Sequence, residues 1–418
     1  MPEPLSMKAV LQVPVMRRLW TAQVISVFGD FLALFAVINF LAFRLFAKPA
    51  DITGLQIAYL LPIAVLGILA GVFVDRWPLK PTMVGSDLTR AVLCLLLLFS
   101  HTVIQFYLVL GAISVVSSFF GPAQGVAIRS AVPVHGLRSA NALMQQVMFG
   151  MRIVGPPLAG VLYKFLGAKV CYIADAISFV GSAALIASVA LNRTLPPPSM
   201  IPPGMAEGDK PKAGLKSILP DMKQGLSFIV HHAGVLFVIM AMAAGMFVLG
   251  CFGPLIAVYT RDTLHASTGT YSAISAMIGV GMFVGVNLLN TVGKKISNTL
   301  LVYSGLLGIA VGVSFLAFLP HVWAALVGDL VIGLAVAGII VPASTLIQQE
   351  TPPALMGRVG STNMSLIFGA QILGLVLSGL MADRLGVRNV FAYCAVMLVV
   401  LSGAGKLFME PKKVVAEA

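Results

Sequence analysis

The sequence predicts an all-α membrane protein in which twelve transmembrane helices form two pseudo-symmetric halves of six helices each. Its 418 residues are 59% hydrophobic and 10% charged, whereas a soluble chain carries about 25% charged residues. A helix needs ~20 mainly apolar residues to cross a bilayer, so twelve crossings use about 240 residues and leave enough chain for connections. The same composition argues against a soluble globule, a disordered chain and a secreted disulfide scaffold.

Twelve apolar segments can be assigned along the chain. Each is apolar on nearly all sides, which is typical of lipid-embedded helices, because backbone groups in a bilayer must form their hydrogen bonds within the segment. Runs such as 59–74 do not show the alternation of barrel strands. The segments are 19–46, 54–74, 82–100, 103–124, 141–163, 168–191, 234–259, 269–292, 299–319, 322–347, 361–382 and 388–409.

The distribution of basic residues predicts the orientation of the chain. If the N-terminus is cytoplasmic, most of the 27 Lys and Arg residues lie in loops and tails on that side. Positive charge concentrates on the cytoplasmic side of membrane proteins, so we expect both termini there. The net charge is +12, but the basic residues do not form a stripe interleaved with aromatic residues. We therefore expect no nucleic-acid partner.

A polar stretch and an internal repeat divide the chain into two halves. Residues 192–223 are rich in Pro and Lys and predict a cytoplasmic linker between an N-terminal half, 1–191, and a C-terminal half, 224–418. The pattern of Phe149, Gly150, Gly155, Gly160 and Gly167 recurs 219 residues later as Phe368, Gly369, Gly374, Gly379 and Gly386. Parallel repeats of this kind predict a substrate path between the halves, near the middle of the bilayer.

The connection between segments two and three carries a short charged motif. Gly71, Asp75, Arg76 and Lys80 follow the spacing GxxxDRxxxK, which resembles a loop signature of the major facilitator superfamily. The resemblance implies that Asp75 caps a helix terminus or accepts from an Arg and so latches a gate; a plain charged hairpin is the alternative. Nearby Asp87 and Arg90, three residues apart, are expected to pair on one helix face and support this loop.

Segment five carries Gly150, Gly155, Pro156 and Gly160, and this pattern is similar to the fifth-helix motif of exporters in the same superfamily. Small residues let helices approach closely, and Pro removes a backbone donor and bends the helix. The resemblance implies a pliable interface between the halves. The alternative is tight helix packing that indicates nothing about the direction of transport.

Further stretches narrow the resemblance to a branch of the superfamily. Gly29-Asp30, Phe120-Gly-Pro122-Ala123 and Gly357-Arg358-Val359 look like the drug-antiporter branch that includes macrolide-efflux and enterobactin-exporter proteins. This resemblance implies a major facilitator fold, export driven by an ion gradient and a place in the bacterial inner membrane.

Asp30 is the leading candidate for ion coupling. It lies 11 residues after Leu19, which places it about 16 Å into a hydrocarbon core ~30 Å thick. An ionised carboxylate costs at least ~2.5 kcal/mol there, so Asp30 is a candidate to bind and release a proton. Arg152 lies at a similar depth, and we expect it to pair in turn with Asp30 and with an anionic part of the cargo. A permanent ion pair between the two is the alternative.

Three further polar residues are predicted to line the substrate cavity. Asp175 and Asp329 lie about two turns into their segments from the outer face and are expected to line an outer vestibule. For Asp175, a second proton site and a capping role both stay open. Gln371 occupies the place of Arg152 in the repeat, so charge should concentrate in the first half.

The sequence carries no motif of an ATPase or a common hydrolase. There is no G-x4-GK[ST], HExxH or GxSxG pattern and no convergence of His or Cys residues, so we expect no enzyme activity, metal or cofactor. We expect a monomeric, proton-coupled antiporter that exports an amphipathic or hydrophobic organic compound by alternating access. A lysophospholipid flippase and a siderophore exporter of the same fold are the alternatives, and a non-transporting enzyme or scaffold is the hypothesis from another class.

Overall fold

A computed structural model describes residues 5–74, 77–191, 215–291, 296–352 and 355–408. Within these ranges the chain forms helices and turns and contains no β-strand. Arg76 and Asp75 lie outside the described residues, as do 192–214 of the predicted linker.

Thirteen α-helices account for most of the described residues. The π-helical turns Phe40–Arg44 and Tyr259–Thr263 extend α2 and α8. In chain order the helices are α1 (Met7–Gln12), α2 (Pro14–Asn39), α3 (Pro49–Val74), α4 (Leu79–Leu96), α5 (Val103–Ala131), α6 (Leu137–Ala187), α7 (Leu215–His231), α8 (Ala233–Val258), α9 (Thr268–Thr291), α10 (Asn298–Phe318), α11 (Val322–Glu350), α12 (Met356–Leu385) and α13 (Val387–Phe408). Helix α7 begins inside the predicted linker, so residues 215–223 are helical.

Among the described residues, eleven helices are long and apolar enough to cross a membrane. The apparent difference from the twelve predicted spans arises in α6, whose 51 residues contain predicted segments five and six. A continuous helix of that length would extend about 76 Å, far more than a hydrocarbon core ~30 Å thick. Gly167 has non-helical dihedral angles, with φ 77° and ψ 172°, and separates the two spans. The prediction of an all-α membrane protein is therefore confirmed, and the count of twelve spans stays a prediction that the break at Gly167 supports.

The internal repeat extends through both halves of the chain at the same offset of 219 residues. Helices α2, α5 and α6 begin at residues 14, 103 and 137, and α8, α11 and α12 begin at 233, 322 and 356. Irregular backbone follows the same offset. Phe46 and His265 both have φ 48°, and Gly167 and Gly386 have φ 77° and 82°. The second half therefore repeats the breaks of the first half as well as its helices.

The chain divides into two compact units. The first, here called the N-terminal unit, comprises Met1–Val37, Ala58–Met151 and Val161–Ile218. The second, the C-terminal unit, comprises Ile38–Ile57, Arg152–Gly160 and Leu219–Ala418. Two short pieces of the first half thus belong to the C-terminal unit, and the simpler division at 1–191 and 224–418 stays a prediction.

Hydroxyl groups support the interior of the N-terminal unit where α3 contains a proline. Pro62 lies inside α3 and cannot donate a backbone hydrogen bond. From α5, Ser114 Oγ donates to the carbonyl oxygen of Tyr59, and Ser118 Oγ shares its proton between the carbonyl oxygens of Ser114 at 2.9 Å and of Pro62 at 3.2 Å. Both serines are buried. These bonds link α3 to α5 beside the polar site described below.

Glycines allow close contacts between helices of the C-terminal unit. A Cβ atom added to Gly333 of α11 would fall on the carbonyl oxygen of Ile278 in α9, and one added to Gly281 would fall on the carbonyl oxygen of Leu330. In both cases the obstructing atom belongs to the backbone. Such contacts are typical of transmembrane helices that pack through small residues.

Gly333→Ala should destabilise the protein, because its methyl group can be accommodated only if α9 and α11 move apart. Overpacking of this kind typically costs about 1–3 kcal/mol. The measurement is the thermal unfolding midpoint in detergent, with Gly403→Ala in α13 as the control, since no heavy atom lies within 4 Å of a Cβ added there. Equal midpoints for the two variants would contradict the close packing.

A buried charge cluster as the candidate functional site

Three helices of the N-terminal unit bring four ionisable side chains together. They are Asp30 of α2, Asp87 and Arg90 of α4, and Asp175 of α6, here called the charge cluster. Asp87, Arg90 and Asp175 are 0%, 4% and 1% exposed, whereas Asp30 is partly exposed to a cavity. Asp30 interacts electrostatically with the three others. Three carboxyl groups therefore share the field of one guanidinium group.

Asp87 and Arg90 form the ion pair at the centre of this cluster. Besides Arg90, Ser182 of α6 contacts Asp87, donating from Oγ to Oδ2 at 2.7 Å. The Arg90 guanidinium carbon lies 4.6 Å from the ring centroid of Phe120 and 4.3 Å from that of Phe179, which adds cation–π attraction. The predicted pair is thus present, and its bond to α6 favours a role inside the cluster over support of the 71–80 loop.

Asp175 is enclosed by groups from two neighbouring helices. Cys94 of α4 donates from Sγ to Asp175 Oδ2 at 2.9 Å, and Ser178 Oγ lies 3.3 Å from Oδ1. A Cβ atom added to Gly29 of α2 would fall on Asp175 Oδ1 and Ser178 Oγ, so α2 passes directly over this carboxyl group. Contrary to the sequence prediction, Asp175 does not line an open vestibule, because the close approach at Gly29 covers it.

Asp30 lies in the wall of a cavity of about 400 Å³ within the N-terminal unit. Gln124 Nε2 donates to Gln23 Oε1 at 2.6 Å in the same wall. The other lining residues are the cation Arg90 and a set with hydroxyl groups or apolar character: Ser26, Val27, Phe31, Leu34, Tyr59, Ile63, Ser117, Phe120, Gly121 and Met148. A compound with one polar part and a larger apolar part fits such a surface.

The predicted partner of Asp30 cannot be located, because the Arg152 side chain lies outside the described part of the chain. Arg90 is the described cation that interacts with Asp30. From the sequence, Arg90 is expected to pair with Asp87 alone, and Cys94 has no predicted role. Residues 87, 90 and 94 are spaced by three and four, so they share one face of α4. This spacing is the feature of the sequence that indicates a shared position of Asp87, Arg90 and Cys94.

The latch residues that can be described lie at helix ends. Gly71 is in the last turn of α3, and Lys80 is partly buried in the first turn of α4. With Asp75 and Arg76 outside the described residues, the latch stays a prediction.

The predicted hinge residues lie in continuous helix. Gly150, Gly155, Pro156 and Gly160 all belong to α6, in which Gly167 is the residue with non-helical dihedral angles. A Cβ atom added to Gly160 would fall on Ser272 Oγ of α9, whereas one added to Gly150 would meet no heavy atom within 4 Å. Close helix approach is therefore present at Gly160, and its link to export stays a prediction.

The C-terminal unit contains a buried acid of its own but no equivalent cluster among its described residues. Asp329 of α11 is 0% exposed, and neither of its carboxylate oxygens has a hydrogen-bond partner among the described atoms. Full burial between helices means that Asp329, too, does not line an open vestibule as predicted. Gln371 of α12 is partly buried, and its main-chain carbonyl oxygen contacts Gly250 of α8. At the offset of 219 residues, the counterparts of the charge cluster are Leu249, Leu306, Ile309 and Cys394.

Comparison with known proteins identifies the family. The family model of the Major Facilitator Superfamily matches residues 19–370 and 240–417. The chain belongs to the major facilitator superfamily. This membership confirms the resemblance predicted from the motifs and makes the protein a membrane transporter.

Several members of the superfamily resemble the chain over nearly its whole length. The MFS-type transporter YfiS of Bacillus subtilis is 26% identical over 389 residues, covering 92% of this chain and 90% of its own. Macrolide efflux protein A of Streptococcus pyogenes is 24% identical over 412 residues, covering 94% of this chain and 96% of its own. A solved bacterial homologue of the human lysosomal transporter Spinster shares the fold, with a TM-score of 0.70 at 14% identity, covering 94% of this chain and 96% of that one.

Proposed function

We propose that this transporter is a proton-coupled antiporter that exports an amphipathic or hydrophobic organic compound by alternating access. The observation that carries the proposal is the position of Asp30, a membrane-embedded carboxyl group that faces the cavity of about 400 Å³ and belongs to the charge cluster. Cavities of ~300–1,000 Å³ are typical of small-molecule sites.

The charge balance of the cluster supports proton exchange at Asp30. Arg90 is held by its ion pair with Asp87, so Asp30 has no cation of its own among the described residues of the unit. An ionised carboxylate in this position is costly when the cavity is closed to water and tolerable when water enters. Opening and closing of the cavity would therefore change the proton occupancy of Asp30, as coupling requires.

The cavity wall and one relative support export of an amphipathic cargo. Phe31, Leu34 and Met148 offer apolar surface, while Gln23 and Gln124 offer an amide pair on the same wall. Macrolide efflux protein A carries efflux in its name and is similar over nearly the full chain. We further propose that the transporter acts as a monomer in the bacterial inner membrane, with both termini in the cytoplasm. A C-terminal tag that is accessible only from the cytoplasmic side would support this location of the C-terminus.

Purified transporter in proteoliposomes with an imposed pH gradient tests the proposal. The probes are hydrophobic dyes, a macrolide and a lysophospholipid, with protein-free liposomes as the control. We expect uphill movement of at least one dye or the macrolide, with counterflow of protons that stops when an ionophore collapses the gradient. Probe movement without proton flow would contradict antiport, and movement of the lysophospholipid alone would indicate a flippase.

A further inference from the structure

We propose that Asp175 is a second proton-binding group of the charge cluster, so that one transport cycle exchanges two protons. The inference rests on the proposed proton coupling at Asp30 and adds a site that does not face the cavity. Its basis is the difference between the surroundings of the three carboxyl groups.

The partners of Asp175 suit both protonation states of a carboxyl group. A thiol is a weak donor and a weak acceptor, and a hydroxyl group can also do both. Cys94 Sγ, 2.9 Å from Oδ2, can thus donate to the carboxylate or accept from the acid. Ser178 Oγ donates to the main-chain carbonyl oxygen of Asp175 at 2.7 Å, and it lies 3.3 Å from Oδ1, where it can accept from the acid. A rotation of the S–H bond of Cys94 is enough to change it from donor to acceptor when a proton arrives at Asp175.

Asp87 has partners of the opposite kind. It accepts from the Arg90 guanidinium group and from the Ser182 hydroxyl group, and a guanidinium group only donates. Protonation of Asp87 would break a buried ion pair, which is strongly unfavourable. Asp87 therefore stays ionised and uses the positive charge of Arg90.

The remaining charges around Asp175 oppose its ionisation together with Asp30. Among the described residues, the ionisable groups that interact electrostatically with Asp175 are Asp30 on α2, Tyr59 on α3, and Arg90 and Cys94 on α4. With Arg90 already paired, Asp30 and Asp175 are two like charges in one buried site. Such carboxyl groups do not ionise independently, and their protons come off in coupled steps.

The backbone at Gly29 lies next to both Asp30 and Asp175 and can transmit movement from one to the other. It precedes Asp30 in α2 and lies so close to α6 that an added Cβ atom would overlap Asp175 Oδ1. A change in the charge or hydration of Asp175 therefore acts on the backbone next to Asp30. Asp30 exchanges its proton with the cavity, and Asp175 holds a second proton behind it.

Infrared difference spectra between acidic and alkaline pH test the inference, because protonated carboxyl groups give a separate carbonyl band. Between about pH 6 and pH 9, where ordinary exposed carboxyl groups are already ionised, we expect two pH-dependent bands from the charge cluster in the purified wild-type transporter. Asp30→Asn should remove one and Asp175→Asn the other, while Asp262→Asn, whose carboxyl group is 53% exposed, should remove neither. In proteoliposomes with a transported dye, Asp175→Asn should halve the ratio of protons to dye.

Two further variants keep the test decisive if Asp175→Asn does not fold. Cys94→Ala should shift the pH midpoint of the Asp175 band, and Cys94→Ser, which retains a donor, should restore it. An unchanged ratio and an unchanged pair of bands in Asp175→Asn would overturn the inference while leaving Asp30 as the single proton site. A wild-type protein with no pH-dependent carboxyl band and no proton flow would overturn the proposed function as well.

Discussion

Asp30→Asn should reduce pH-gradient-driven transport to the level of protein-free liposomes. The amide keeps the size of the carboxyl group but cannot exchange a proton, so the cavity loses the group that couples its opening to the gradient. Downhill movement of the same dye should persist, because the rest of the cavity wall, including Gln23 and Gln124, is unchanged. The measurement compares uphill and downhill flux of one dye in the same vesicle preparation.

The matched control for this experiment is Asp262→Asn. Asp262 pairs with Arg261 on the C-terminal unit and is 53% exposed, so uphill transport should stay at the wild-type level. Full uphill transport by Asp30→Asn, with folding verified by its unfolding midpoint, would remove Asp30 from the coupling mechanism.

Arg90→Met should produce the largest loss of stability among single substitutions in the charge cluster. It leaves Asp87, Asp30 and Asp175 without the cation they share, and breaking the buried ion pair of Asp87 from one side costs about 3–5 kcal/mol. Loss of the contacts with Phe120 and Phe179 adds to the effect. The measurement is the yield of folded protein and its thermal unfolding midpoint in detergent.

A double substitution separates the charge effect from the packing effect. Asp87→Asn combined with Arg90→Met removes both partners, so it should be more stable than Arg90→Met alone. Arg90→Lys should fall between wild type and Arg90→Met, because Lys keeps the charge but not the planar group that lies against the rings. Strict additivity of the two single substitutions would show that Asp87 and Arg90 do not interact energetically.

The spans and the repeat could be predicted from sequence because both depend on local patterns. The apolar segments follow from hydropathy, and the glycine pattern around Gly155 and Gly374 revealed the offset of 219 residues that the helix beginnings share. The hydropathy pattern predicts two apolar segments within the range of α6. The positive φ of Gly167 interrupts the helix between these two segments.

The membership of the charge cluster could be predicted only in part. Depth along the helix identified Asp30, since it needs only residue counting. Which face of α4 or α6 lies against α2 depends on helix rotation, and a single sequence carries little information on that rotation. For this reason the sequence patterns predict Asp175 in a vestibule and Arg90 in support of a loop, and they do not reveal the bond between Asp175 and Cys94.

The paired π-helical turns bear on the origin of the molecule. The turns Phe40–Arg44 and Tyr259–Thr263 each contain one more residue than an α-helical turn needs, and they are 219 residues apart. Each is followed by a residue with positive φ, Phe46 in the first half and His265 in the second. Two independent insertions at matching places would be a coincidence. An ancestral six-helix module that already carried the extra residue, and was then copied in tandem, accounts for both. On that history, acidic and basic residues now confined to one copy diverged after the duplication, whereas the π-helical turns predate it.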